Sequence, residues 1–326
     1  MTSKKILPLL GLTGILFACT GCVSAPKEEL YEKNLIYFDT VISLQFYAGE
    51  NGDELMDHCV RMCQNYEHIF SRTDNSSELY KINHRAGKSI AVSDEIADLI
   101  SVGLEYYQIS EGMFDITVAP LSDLWDFKSE NPVLPLEADI QTALTSVDAS
   151  RISLEGNILT FEDDNTMIDL GALVKGYAAD NMKKYLTENG VTSGNLNLGG
   201  NVLTIGTKPD GSNWRIGIQK PFDDRGTLAE IVEVSDKTVV SSGIYERYFE
   251  KDGTVYHHIL SPDTGYPVEN DIWEVSIICD SSLTGDALST TCLTLGYEKA
   301  RKLIDSLKDV EAIFILQNYE IHKTFS

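Results

Sequence analysis

Between residues 195 and 279 the chain reads as a run of short segments with strand character, at 195–205, 214–219, 228–234, 237–241, 245–250, 254–260 and 273–279. No helix is interleaved with them, which argues against a doubly wound sheet built from repeated strand–helix–strand units. Helical periodicity is gathered elsewhere. Leu55, Cys59, Met62, Cys63, Tyr66 and Ile69 give an amphipathic helix over 53–70. Ser93 is placed to cap a helix running to about Ser110, with Ile96, Leu99, Ile100, Leu104 and Tyr107 facing inward and Gly112 just past its end. Further helices are expected at 137–146, from Leu173 to Asn189, and at about 283–295 and 297–308. A strand over 34–48, a hairpin around Glu155-Gly156-Asn157 and a last strand at 311–317 complete the pattern. Strands in runs with helices grouped between them specify an α+β fold: a largely antiparallel sheet with packed helices.

Hydrophobic residues make up 43% of the 326 and aromatic residues 9%, enough for a sizeable packed core and unlike a disordered chain. No Pro/Gly/Ser-rich linker forces a division into domains. The 26 Lys+Arg against 50 Asp+Glu leave a net charge of −24, which argues against a nucleic-acid partner. A protein this acidic binds an anion only with local help from a helix N-terminus, a lysine or a metal ion.

Residues 1–22 read as an export signal. Lys4 and Lys5 precede an apolar run from Ile6 to Ala18, too short for a comfortable membrane span. The run ends in Leu16-Phe17-Ala18-Cys19, which resembles the lipobox of bacterial lipoproteins, with the Cys19 thiol as the lipid carrier. Cys22 is a second candidate, and an ordinary secretory signal is the plainer alternative. The expected organisation is therefore a signal and anchor at 1–22, a polar tether at 23–33 and one domain over 34–326. This places the protein at the cell membrane, lipid-anchored on the extracytoplasmic face. Cys59, Cys63, Cys279 and Cys292 contain no Cys-x-x-Cys pair, and no disulfide framework is expected.

Four stretches could carry chemistry. In Ile168-Asp169-Leu170-Gly171-Ala172-Leu173-Val174-Lys175-Gly176, an Asp at a strand end leads through a glycine turn into a helix. Free N–H groups and Lys175 in the first turn suit a phosphate or pyrophosphate, although a strand–helix corner with a solvated lysine fits the spacing equally. Asp286 and Thr290 lie four apart, so a carboxylate and a hydroxyl share one helical face. Two hard oxygens there suit Mg²⁺, with a carbonyl such as that of Ala172 as a third ligand; a helix cap and a back-bonded threonine are the alternative. His257 and His258 precede a turn at Pro262-Asp263-Thr264-Gly265 and point to opposite sides of a strand, so one of them at most faces a given pocket as a base. The aromatics of Gly112–Trp125 could stack on a flat ring or fill the core.

Taken in order, Asp169-Leu170-Gly171, Lys175-Gly176-Tyr177-Ala178-Ala179-Asp180, Asn197-Leu198-Gly199-Gly200-Asn201, Ser241-Ser242-Gly243, His257-His258-Ile259 with Pro262 and Thr264-Gly265, and Asp286-Ala287-Leu288-Ser289-Thr290 resemble the ApbE family of FAD:protein FMN transferases. The likeness runs from about Phe38 to Leu316, and includes Glu67-His68-Ile69-Phe70-Ser71 and the Gly112–Trp125 stretch. It implies an architecture related to the T-fold. It also implies Mg²⁺-dependent cleavage of FAD, with FMN moved to a threonine or serine hydroxyl of a target protein and AMP released. The metal would fall to Asp286, Thr290 and the Ala172 carbonyl. FAD contacts would fall to Asp169, Lys175, Ser289, the backbone near Leu260, and Trp125, Asp126 and Phe127. The family's histidine maps to His258, with His257 second. The implied partners are FAD and a flavin-carrying subunit of an exported electron-transfer complex. Two rivals share the residues: an FAD pyrophosphatase and a flavin-binding lipoprotein without catalysis. Phe38-Asp39-Thr40 departs from the family's usual Met-Gly-Thr, and Ser261 from its usual Asp.

Overall fold

The computed structural model describes residues 28–325, so Cys19, Cys22 and the export signal lie outside it. In chain order the elements are β1 (Glu29–Tyr37), β2 (Thr40–Ala48), α1 (Gly52–Phe70), α2 (Glu78–Asn83), β3 (Ser89–Ala91), α3 (Asp94–Ile109), α4 (Ala119–Trp125) and α5 (Glu137–Leu144). Then come β4 (Ile152–Glu155), β5 (Ile158–Phe161), α6 (Val174–Glu188), β6 (Ser193–Leu198), β7 (Asn201–Ile205), β8 (Trp214–Gln219), β9 (Leu228–Val234) and β10 (Thr238–Gly243). The chain closes with β11 (Tyr248–Lys251), β12 (Thr254–His257), β13 (Ile272–Cys279), α7 (Ser282–Leu295), α8 (Tyr297–Ser306), β14 (Glu311–Leu316) and β15 (Ile321–Lys323).

Eight strands form the main sheet in the order β1-β2-β6-β7-β10-β13-β14-β15. Every neighbouring pair in it is antiparallel. This is the α+β architecture that the pattern of strands and helices specifies. The strands bury alternate residues, as in β2, where Ile42, Leu44 and Phe46 are fully enclosed. On that face lies a layer of α1, α3, α6 and α7 joined to the sheet in one large core. The β8–β9 hairpin covers part of the sheet with its own cluster, in which Trp214, Ile216, Ile218, Val232 and Val234 meet Val202, Val239, Ile278, Ile313 and Ile315. A third cluster collects Leu121, Trp125, Ile140, Val147 and Leu260.

Local chemistry explains the helix starts. The Ser93 side chain accepts from the Ile96 N–H at 3.3 Å, and Ser77 does the same for Tyr80 at 3.0 Å. Helix α7 is buried nearly all round, including the small residues Gly285, Ala287 and Ser289. Such a helix belongs inside the fold, and its polar groups must find partners there. Cys59, Cys63, Cys279 and Cys292 are buried free thiols that serve as small apolar residues.

Two expected strands divide. The 34–48 segment turns at Phe38-Asp39, where both residues take left-handed φ values of 53° and 57°. The Phe38 N–H donates to Glu67 at 2.9 Å and the Asp39 carboxylate pairs with Lys128, which together hold the turn. Strand β1 begins at Glu29, so residues 29–33 belong to the sheet and the described part of the expected tether is mostly strand. The 195–205 segment breaks at Gly199-Gly200, at φ 64° and 87°. A side chain at Gly199 would overlap Thr40, so glycine is required there by both φ and space.

Candidate active site

The first turns of α6 and α7 are locked together. Asp180 of α6 accepts from Ser281 Oγ at 2.8 Å, the Ser282 N–H at 2.8 Å and the Leu283 N–H at 3.0 Å. A carboxylate from one helix thus satisfies the free N–H groups at the start of the other. Gly176 makes the close approach possible, since a Cβ there would meet the backbone of Ser282 and Leu283. The result delivers Asp286 to the first turn of α6, where its Oδ2 accepts from the Gly176 N–H at 2.5 Å. In a regular helix that N–H would bond the carbonyl of Ala172. Here it does not, and among the described residues no hydrogen bond reaches the Ala172 carbonyl. Asp286 is 4% exposed, and burial raises its carboxyl above the ordinary range, opposed by Lys175, Asn201 and the Gly176 N–H. Thr290 follows one turn later on α7, partly exposed, with no hydrogen bond to its hydroxyl among the described residues.

Asp286 is thus joined to the first turn of α6, four residues after Ala172, and Thr290 lies one turn further along α7. Among the described residues no group of three His, Cys, Asp or Glu side chains is placed to hold a metal. A single carboxylate with a hydroxyl and a carbonyl fits Mg²⁺, which takes few protein ligands and completes its shell with water and substrate phosphates. It does not fit a zinc site.

Lys175 is half-buried beside this corner and donates to the Gly199 carbonyl at 3.1 Å. Its charge opposes the burial that raises Asp286 and adds to the burial that lowers His258. His258 Nδ1 lies 3.2 Å from the Arg247 carbonyl, and the His258 N–H donates to the same oxygen at 3.1 Å. A carbonyl can only accept, so Nδ1 carries the proton and Nε2 keeps its lone pair. Burial first, then the charge of Arg247, the neighbouring His257 and Lys175, push the His258 imidazole down to about 3. It is neutral at physiological pH. His257 is 5% exposed, held through Nε2 by the Val268 carbonyl at 3.2 Å, and burial lowers it to about 4. Its Nδ1 is buried with no hydrogen-bond partner among the described residues.

The remaining expected contacts separate into two groups. Asp169 is at the corner: its Oδ1 accepts from the Gly171 N–H at 2.8 Å and its Oδ2 pairs with Arg72 Nε at 3.1 Å. Ser289 is fully buried, bonded to Ser242 Oγ at 2.8 Å and to the Asp286 carbonyl at 3.0 Å, so it ties α7 to β10. Trp125 is fully buried, with Nε1 donating to the Gly265 carbonyl at 2.8 Å and its ring 5.5 Å from that of Phe127. Phe249, Tyr256 and Tyr266 surround it. The Trp125 ring is core, anchoring the turn that follows His258 and Leu260, and leaves no open face for a ligand. Leu260 is buried against the same cluster, and its backbone bridges to Pro267. Asp126 is exposed, in a left-handed conformation at the end of α4, and Phe127 is partly exposed beside it. Asp115 is structural too: it accepts from the N–H groups of Thr117 at 2.7 Å and Ala149 at 3.0 Å.

Reading the sequence missed Arg72, Arg247 and the role of Asp180. All three act through partners distant in the chain, and only Asp180, standing inside a quoted motif, carried a local signal.

The ApbE family model matches residues 38–314, most of the chain. The chain belongs to the ApbE family. It is 32% identical over 297 residues to an FAD:protein FMN transferase of Klebsiella pneumoniae, covering 90% of this chain and 92% of that one. A second FAD:protein FMN transferase, from Treponema pallidum, is 29% identical with 95% and 91% covered. Among solved structures, the ApbE protein of Thermotoga maritima superposes with a TM-score of 0.83 at 29% identity, covering 90% and 97%. The flavinyl transferase ApbE of Pseudomonas stutzeri gives 0.79 at 28% identity, covering 91% and 94%.

Proposed function

We propose that this protein is an FAD:protein FMN transferase that moves FMN from FAD to a threonine or serine hydroxyl of a target protein and releases AMP. The observation that carries the reading is the corner where Asp286 takes the Gly176 N–H, leaving the Ala172 carbonyl open beside Lys175. Asp286, Thr290 and the Ala172 carbonyl would hold Mg²⁺, which when bound supplies positive charge to a diphosphate. Lys175 and the N-terminal turn of α6 add to that charge, and Asp169 and Arg72 fix the entry to the turn.

In the transfer, the acceptor hydroxyl oxygen attacks the phosphorus on the FMN side of the diphosphate. The bond from that phosphorus to the bridging oxygen breaks, and AMP leaves with the electron pair. The hydroxyl proton goes to His258 Nε2, whose lone pair is free because Nδ1 donates to Arg247. A histidine kept neutral by its surroundings is ready for that role. The acceptor is read as a flavin-carrying subunit of an electron-transfer complex outside the cytoplasm. The enzyme is held at the extracytoplasmic face of the cell membrane by lipid on Cys19. No described helix is long and apolar enough to cross a membrane.

The test is incubation with FAD, Mg²⁺ and a threonine-bearing acceptor. Flavin fluorescence on the acceptor in a denaturing gel, with AMP released in equal amount, is expected. Asp286→Ala abolishes both. FMN released without labelling would instead make the protein a pyrophosphatase, and intact FAD would make it a binding protein.

A further inference from the structure

Between the end of β5 at Phe161 and the start of α6 at Val174 the chain forms no strand or α-helix, yet this segment carries Asp169 and Ala172. Ile168 and Leu170 are buried there, so the backbone groups around them need partners other than water. Side chains from one short stretch, residues 72–85, supply several of them. Arg85 donates to the carbonyls of Asp163 and Thr166, each at 2.8 Å. Asn83, the last residue of α2, meets Ile168 twice. Its Oδ1 accepts from the Ile168 N–H at 2.7 Å, and its Nδ2 donates to the Ile168 carbonyl at 2.9 Å. Asn83 is 8% exposed, and its amide imitates the exchange of bonds between two strands. Arg72 takes the next residue by its side chain: Nε pairs with Asp169 Oδ2 at 3.1 Å, while Nη1 donates to Asp123 of α4 at 2.6 Å.

From Ile168 onward the turn is closed by its own bonds. The Asp169 N–H donates to the Ile116 carbonyl at 2.7 Å and the Gly171 N–H to Asp169 Oδ1 at 2.8 Å. The N–H groups of Leu173 and Val174 both donate to the Leu170 carbonyl, at 2.9 and 3.2 Å. A shift at Ile168 is therefore passed along the turn to Ala172. We infer that Asn83 and Arg72 are positioning residues of this site: they fix the Ile168 backbone and the Asp169 carboxylate, and so set where the Ala172 carbonyl stands at the entry to α6. The inference rests on reading this corner as the Mg²⁺ and FAD site, and adds to it the residues that keep its oxygens in place.

The experiment reads binding as well as turnover. Full-length wild type, Asn83→Ala and Asn83→Asp are titrated with FAD over a range of Mg²⁺, followed by flavin fluorescence, and assayed for transfer to a threonine-bearing acceptor. Asn83→Ala removes both bonds, and Asn83→Asp sets a second oxygen against the Ile168 carbonyl. Both should need roughly 10- to 100-fold more Mg²⁺ for half-maximal FAD binding, the usual effect of losing a group that orients a metal ligand. Turnover at limiting Mg²⁺ falls in step, and FAD binding at saturating Mg²⁺ returns to the wild-type value. Asn157→Ala is the comparison. That side chain also makes two bonds, to the Val92 carbonyl at 3.0 Å and to Asp94 at 2.7 Å, but in the β4–β5 turn. Its loss should lower stability and leave the Mg²⁺ requirement alone. A destabilised Asn83→Ala with the wild-type Mg²⁺ requirement overturns the inference and makes Asn83 a packing residue, and so does an equal change in Asn157→Ala. Wild-type FAD binding that ignores Mg²⁺ would overturn the metal reading of the corner, and no FAD binding the substrate reading. If neither Asn83 variant folds, Arg72→Gln decides: a raised Mg²⁺ requirement supports the inference and a wild-type one refutes it.

Discussion

Gly176→Ala adds one methyl group where α6 meets α7, and its sign separates two accounts of that junction. In an exposed helix, Ala in place of Gly stabilises by about 1 kcal/mol. At Gly176 the new Cβ would lie 2.6 Å from Leu283 Cα and closer still to the Ser282 carbonyl oxygen. Ordinary carbon contacts are about 3.5–4.0 Å, so the helices must part by roughly 1 Å. Both obstacles are backbone, and the three bonds to Asp180 hold that backbone in place. Overpacking of this kind costs about 1–3 kcal/mol. The 2.5 Å bond from Gly176 N–H to Asp286 stretches at the same time. A weakened bond to a buried charge adds about 1–2 kcal/mol. Set against the propensity gain, the net expectation is a loss of about 1–4 kcal/mol. Urea denaturation followed by circular dichroism measures it. Activity should fall further than stability, because a displacement of about 1 Å at a positioning group can cost roughly 100-fold in rate. A variant as stable as wild type, or more so, with normal turnover would refute the claim that this glycine sets the approach of α6 to α7 and the bond to Asp286.

Glu274 of β13 is fully buried, accepts from the Tyr245 hydroxyl at 2.6 Å and from Ser276 Oγ at 3.2 Å, and is raised by burial from 4.5 to about 7. Its protonated form therefore contributes stability below pH 4.5 that is lost as pH rises through 7, on the order of 3 kcal/mol. Glu274→Gln should remove that slope between pH 4.5 and 7, as read by denaturation midpoints across pH; an unchanged slope would contradict the assignment. For His258, held down to about 3, NMR of labelled histidines should show no protonation between pH 5 and 8 in the free protein, whereas a midpoint near 6.5 would contradict the burial that lowers it. Cys19→Ser should end incorporation of labelled lipid and release the protein from the membrane fraction; retention with lipid still attached would move the anchor to Cys22.

Much of this fold was legible because burial imposes a period. The stripe of Leu55, Cys59, Cys63 and Tyr66 gave α1 to within a residue, and Ser93 marked the start of α3 by the chemistry of its hydroxyl. The turn at Phe38-Asp39 was hidden because it reaches left-handed φ without glycine or asparagine and is held by Glu67 and Lys128, which are distant in the chain. The reverse happened at Gly199-Gly200: the signal was present, but apolar residues on both sides suggested one continuous strand. At the site, Asp286 and Thr290 could be paired because four residues along a helix fix their side. The ambiguity of Trp125 could not be resolved from the sequence. Its fate depends on Gly265, 140 residues away, which takes its indole N–H. Arg72, Asp180 and Arg247 belong to the same class, since their meaning lies in partners that only the folded chain supplies.

The most direct test of the account is a crystal structure of the protein with FAD and Mg²⁺. It should place the diphosphate against the first turn of α6, within hydrogen-bond reach of Lys175 Nζ, with the metal on Asp286, Thr290 and the Ala172 carbonyl. Density for FAD with its phosphates away from this corner, and Asp286 still bonded only to Gly176, would contradict it.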